Sequence, residues 1–343
     1  MEKERIIWFD LLKIFAILAV VFLHSASFIF IEEPLFSNGW HVSNIYDSLV
    51  RFCVPIFIMV SGALFLNDNK DIDIKKLYKK NIVRLLSAYI IWNVIYNLYN
   101  IYFNNLEISI INIPFLSADH MWFMPMIICL YIVTPILKLI VKDKKVTEYL
   151  LIVFIIFGIT LPFIGQLAAL KYNVLSTFIS EFRPEITGYV GYYILGYYLY
   201  TYKPFKAKNV TFMLGYTIAT IMCILGTIIA SKVTSTKEVI FYDYFSLTTL
   251  IQAICIFLLF KYVISKKKLN DKVRTNISKI ASYTFGIYLV HMLVFYELIR
   301  LGFDTSTMNS LIYIPLLGVS SILISLAIIF IISKIPILNK YMM

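Results

Sequence analysis

The chain has 343 residues, 60% of them hydrophobic and only 15% charged, with a mean hydropathy of +0.81. So much apolar sequence excludes a soluble globular domain, which needs polar surface, and points to a polytopic membrane protein. The formal charge of +11 would suit nucleic acid or anionic lipid as a partner, but the placement of the basic residues gives it another meaning.

Segments of about 20 apolar residues are the unit to look for. Ten follow in chain order, at 6–30, 43–66, 82–103, 121–141, 147–166, 184–202, 210–231, 244–264, 279–300 and 311–334. The expected fold is an all-α polytopic integral membrane protein of about ten transmembrane helices. It forms a single transmembrane domain over residues 1–343, without internal repeats. Lys3 and Arg5 before the first apolar run imitate a signal peptide. The run is long enough to span and no small-residue cleavage site follows, so it is expected to stay as the first helix.

Loop charge sets the orientation. The stretch "NDNKDIDIKKLYKKN" carries five Lys with Arg84 just beyond, "KDKK" and "KPFKAK" carry three each, and "SKKKLNDKVRTNISK" carries six Lys and Arg. The alternate segments 31–42 and 104–120 carry none. Basic loops stay cytoplasmic, so both termini are expected there. The net charge is then mostly a topology signal, and the expected surrounding is the lipid bilayer rather than nucleic acid.

Within the first span, "DLLKIFAILAVVFLH" keeps Asp10, Lys13 and His24. Eleven positions at 3.6 residues per turn leave Lys13 and His24 about 20° out of line, with Asp10 within about 60° of Lys13. One stripe therefore carries all three. A charge near mid-bilayer costs roughly 2.5–3.5 kcal/mol on insertion scales, so the stripe should face the bundle interior or a wet cavity. The rise of about 1.5 Å per residue puts His24 roughly 16 Å beyond Lys13. Asp10, about 21 Å from His24 on the same rise, is too far to orient its imidazole and is expected to pair with Lys13 or a basic neighbour such as Arg84. Taken alone, Lys13 could equally snorkel to the interface and His24 be a hydrogen-bonded core residue.

Cys53, Cys129, Cys223 and Cys255 all lie in apolar segments without a CxxC pair, and the four histidines are too scattered for a metal motif, so no metal is expected.

These residues resemble a known family. Lys13, ten residues and His24 match the Arg/Lys-to-His signature that opens the bacterial acyltransferase family 3, the membrane O-acyltransferases of surface carbohydrates. "RFCVPIFIMVSGALFL" (51–66), "HMWFMPMIICLYIVTPIL" (120–137), "YYILGYYL" (192–199) and "SYTFGIYLVH" (282–291) are similar to further family segments, in the family's order. Within the family the chain resembles the enterobacterial common antigen O-acetyltransferase type, which lacks a fused extracytoplasmic domain. The resemblance implies an enzyme of the bacterial plasma (inner) membrane. It would take an acyl group, usually acetyl, from acetyl-CoA or another acyl-CoA on the cytoplasmic side and pass it to a hydroxyl of a surface polysaccharide or lipid-linked glycan. His24 would be catalytic, as general base or as a transient acyl carrier, alternatives that the residues leave open. Lys13, and by its place at the mouth Arg84, would bind the phosphates of the donor.

The acceptor and oxyanion end has weaker markers. Arg51 is expected at the outer start of the second span, as an interfacial anchor or a polar group of the acceptor site. Ser61 and Gly62 read as small packing residues. His120 and Trp122 mark the outer end of the fourth span, Trp122 being a candidate oxyanion donor. Tyr288 and His291 lie one turn apart in the ninth span. Glu181, Arg183 and Glu185 form an outer charged cluster. Two rival readings stand beside the enzyme: a polysaccharide or lipid transporter, for which inward charges and broken helices would also serve, and a membrane domain that delivers a ligand to a separate enzyme.

Overall fold

A computed structural model describes residues 5–67, 73–171, 188–202, 209–303 and 308–342. Helices account for the regular structure among the described residues. Their starts are set by short polar side chains that take up the unpaired N–H groups of a first turn. Ser37 Oγ accepts from Trp40 N at 3.1 Å, Asp143 Oδ1 from Lys145 N at 2.8 Å, and Asn270 Oδ1 from Val273 N at 2.8 Å.

In chain order the helices are α1 (Ile7–Glu32), α2 (Asn38–Val50), α3 (Cys53–Phe65), α4 (Ile74–Phe103), α5 (Asp119–Ile140), α6 (Lys144–Ala169), α7 (Tyr189–Thr201), α8 (Asn209–Thr234), α9 (Leu247–Tyr262), α10 (Asp271–Arg300), α11 (Ser310–Ser333) and the short α12 (Pro336–Met342). Nine helical segments among the described residues are long and apolar enough to cross a membrane, α2 and α3 counting together as Asn38–Phe65. The all-α polytopic fold read from the sequence is the fold observed. The sixth expected span is represented by α7; its residues 184–187 lie outside the described residues, as do Glu181, Arg183, Glu185 and the basic stretch 203–208.

Several elements begin earlier than the apolar windows. α4 starts at Ile74 rather than 82, and α10 at Asp271 rather than 279. Their first turns carry Lys75, Lys76, Lys79 and Lys80, or Lys272, Arg274 and Lys279. Residues expected in basic loops are thus helical, because a helix can run on past the apolar part of its span while hydropathy registers only that part. Two helices widen into π turns, Leu77–Ile82 in α4 and Phe154–Thr160 in α6. The second precedes Pro162, which has no N–H to give, and Thr160 Oγ1 there donates to the Ile155 carbonyl at 2.8 Å.

α1 is the central helix, packed on α2, α3, α10 and α11. On its far side α3 packs against α7 through glycines. A Cβ added at Gly62 would run into the Tyr193 carbonyl, and one at Gly196 into the Met59 backbone. The expected packing role of Gly62 is what the structure shows. α8 presents Met213, Leu214, Ile218, Ile221, Leu225 and Ile229 outward, the surface a helix offers to lipid.

Candidate active site

Lys13 and His24 line one cavity of about 430 Å³, as the helical spacing of α1 requires. Arg84 of α4 lines it at the same end as Lys13, and His120, Trp122 and Tyr288 line it near His24. Between them the wall is largely apolar, with Val54, Phe57, Val60, Leu64 and Ile127, while Ser61 adds a hydroxyl.

At the mouth Asp10 is only 2% exposed. It accepts from Arg5 Nε at 2.6 Å, from Lys13 Nζ at 3.4 Å and from Ser278 Oγ at 3.1 Å. The expected partner Lys13 is present, but the second cation is Arg5, not Arg84. Arg5 also donates to the Ser278 carbonyl at 2.8 Å, so the start of α1 is tied to the first turns of α10. Arg84 lies elsewhere on the wall, its guanidinium carbon 5.9 Å from the centre of the Phe285 ring.

Three histidines from three helices meet at the deep end. Ring centres are 5.2 Å apart for His24 and His291, 6.4 Å for His24 and His120, and 5.3 Å for His120 and His291. His291 is buried, with Nδ1 at 2.7 Å from the Tyr288 carbonyl and 3.1 Å from that of Ile287. Carbonyls only accept, so Nδ1 carries the proton and, in the neutral ring, Nε2 is left as an acceptor. His120 is 4% exposed, and neither ring nitrogen is in good hydrogen-bond geometry with a described residue, the Leu289 backbone lying within reach. It can offer the cavity both an N–H and a lone pair. The described residues hold no cluster of His, Cys, Asp and Glu fit to bind a metal ion.

The second layer fixes this end. His120 sits in the 3₁₀ turn that opens α5, and Tyr288 Oη donates to its carbonyl at 2.8 Å. Tyr96 Oη donates to the Leu289 carbonyl at 2.9 Å and accepts from Leu293 N at 3.1 Å, bridging the turn of α10 around His291. Asn97 Nδ2 donates to the Ile113 and Leu116 carbonyls, both at 2.7 Å, and so holds the segment leading into α5. Trp122 is 38% exposed and lies 5.6 Å, ring centre to ring centre, from Tyr189 and 5.7 Å from Tyr244, another cavity residue.

Arg51 and His291 do not line the cavity, although the His291 ring stands against those of His24 and His120, and Arg51 is no exposed anchor. It is buried at the break between α2 and α3, paired with Asp47, with its guanidinium 4.0 Å over the Tyr242 ring and Nη1 3.3 Å from the Tyr242 carbonyl. Ser27 of α1 donates to Asp47 at 2.8 Å. The group is a buried polar strut joining α1, α2 and the segment before α9.

The chain matches the acyltransferase-domain family over residues 6–330. It belongs to that family, acyltransferase family 3. No curated protein and no solved structure matches it. In this acyltransferase the matched range contains every residue that lines the cavity except Arg5. Sequence reading had not found Asp47, Tyr96, Tyr244 or the meeting of the histidines. The usable signal was the paucity of polar groups in apolar spans: Asp47 and Arg51 stand one turn apart in such a span, as ion partners on a helix do.

Proposed function

We propose that this multi-pass membrane acyltransferase moves an acyl group, in the simplest case acetyl, from cytoplasmic acyl-CoA to a hydroxyl of a surface polysaccharide or glycolipid. The observation that carries the reading is the single cavity with cations at one end and histidines at the other. Its apolar middle suits a thin arm that delivers a thioester. At the deep end the acceptor hydroxyl attacks the thioester carbonyl; a C–O bond forms and the C–S bond breaks. His24 takes the hydroxyl proton and returns it to the leaving thiolate. His120, whose ring lines the cavity, is suited to hold the acceptor or the oxyanion, and Trp122 offers a stacking face for a sugar.

The setting we propose is a bacterial plasma membrane with both termini cytoplasmic, and the type that of the enterobacterial common antigen O-acetyltransferases. In a chain with its native cysteines replaced, Ile108→Cys should react with an impermeant thiol reagent in intact cells and Lys268→Cys should not; the reverse pattern would invert the orientation. The activity is tested by incubating purified protein with labelled acetyl-CoA and extracted surface glycans. Label should move to the glycan with wild type and not with His24→Ala. Export of unlabelled glycan without transfer would favour the transporter.

A further inference from the structure

Beside the cavity, rather than within it, lies a strongly basic concave surface. A groove of about 870 Å³ is lined by Lys79 and Lys80 of the α4 π turn, Lys334 at the end of α11 and Lys340 of α12. Arg84 and Ser282 line both the groove and the 430 Å³ cavity, so the two spaces adjoin. The far wall is held in place: Trp92 Nε1 of α4 donates to the Met342 carbonyl of α12 at 3.1 Å.

The charge of this groove is unbalanced. Among the described residues no carboxylate lines it, and none of its four lysines pairs with an acid. The cations at the cavity mouth differ, since Arg5 and Lys13 already share Asp10. Topology accounts for lysines at this end of the bundle, but it is served equally well by convex loops. Four ammonium groups gathered in one concavity, with the hydroxyls of Ser87 and Ser333, match a ligand of several negative charges and many acceptor oxygens. The apolar middle of the cavity has no such groups.

We propose that this groove is a phosphate-binding site that holds the nucleotide phosphates of a donor whose arm lies in the adjoining cavity. The assignment rests on the acyl-CoA reading above. An anionic phospholipid headgroup presents the same phosphate chemistry.

The experiment is calorimetric binding to the purified full chain in detergent. The probes are coenzyme A and its nucleotide half, phosphoadenosine diphosphate, which has no arm and no acyl group. The variants are Lys79→Gln with Lys80→Gln, and Lys334→Gln with Lys340→Gln. The control is Lys142→Gln with Lys145→Gln, exposed lysines that line neither the groove nor the cavity. Each groove pair should weaken both probes by about 10-fold or more, and the control by less than about 2-fold. Lys→Arg versions should restore binding, which separates lost charge from lost folding. A second arm measures melting in nanodiscs with and without phosphatidylglycerol. Groove variants that lose the lipid-dependent stabilisation but keep both nucleotide affinities would give the groove to a headgroup and overturn the nucleotide assignment. Variants unchanged in both arms would overturn the site. If the groove pairs weaken the nucleotide half while labelled transfer is absent from the wild type, the groove stands and the transferase reading falls.

Discussion

The two ends of the cavity are built on opposite principles. At the mouth, charge is plentiful and partly exposed: Lys13, Arg5 and Arg84 line the wall, and further lysines surround them. At the deep end charge gives way to a few neutral polar groups: His120 and His291 are buried and His24 half-buried, the His291 ring is held by the Tyr288 carbonyl, and the His120 backbone is held by Tyr288 Oη. Redundant cations bind by summed field, so the loss of one is shared among the others. A single imidazole has no substitute. The mouth should tolerate substitution by degrees, and the deep end should not.

The sharpest way to break this contrast is His24. His24→Ala and His24→Gln should each lower transfer by about 10²–10⁴-fold, the usual range for a general base, while binding of coenzyme A stays near wild type. If both variants keep more than about a third of the rate, far outside that range, the deep end is structural and the contrast collapses.

Next comes the buried strut. Asp47→Ala leaves the Arg51 charge unpaired inside the bundle and should cost about 3–5 kcal/mol of stability. Replacing both residues by apolar ones should recover much of that loss. Thermal melting in detergent measures both, and a double variant no better than Asp47→Ala would show that the pair is not an isolated unit.

At the mouth the effect should be smaller and of another kind. Lys13→Ala should raise KM for acyl-CoA by about 10-fold, the worth of one charge-assisted hydrogen bond, with kcat nearly unchanged. A fall confined to kcat would move Lys13 into the chemistry. Smallest of all is the response to salt. Raising ionic strength from about 0.1 to 1 M shortens the screening length from about 10 to 3 Å. It should raise KM for acyl-CoA a few-fold and leave kcat alone, because the buried imidazoles are shielded from bulk ions. A KM indifferent to salt would argue against binding by summed charge.

What the sequence made legible follows the same divide. The alignment of Lys13 with His24 is a property of one helix, so 3.6 residues per turn was enough to place both on the cavity. The apolar spans were legible because each must cross the bilayer alone. The convergence of His24, His120 and His291 was not, since it depends on how α1, α5 and α10 pack, and no local rule carries that. Arg51 was misplaced for a related reason. Hydropathy reports a continuous span over Asn38–Phe65 and is blind to the break at Arg51 and Phe52, where the strut is buried. The partner of Asp10 was half legible: Lys13 is its neighbour on the helix, whereas choosing Arg5 over Arg84 required the tertiary structure.

The glycine contact between α3 and α7 has a mechanical consequence. With the Gly62 and Gly196 backbones pressed against the opposing chain, neither helix can slide or roll without steric collision. Val54, Phe57, Val60, Ser61 and Leu64 ride on α3, so that side of the cavity is a fixed jaw. The other walls are formed by α1, α4, α5 and α10, of which α4 and α5 lie mostly outside the core. Any dilation that admits a bulky acceptor falls to those walls, which makes the molecule a vice with one stationary plate.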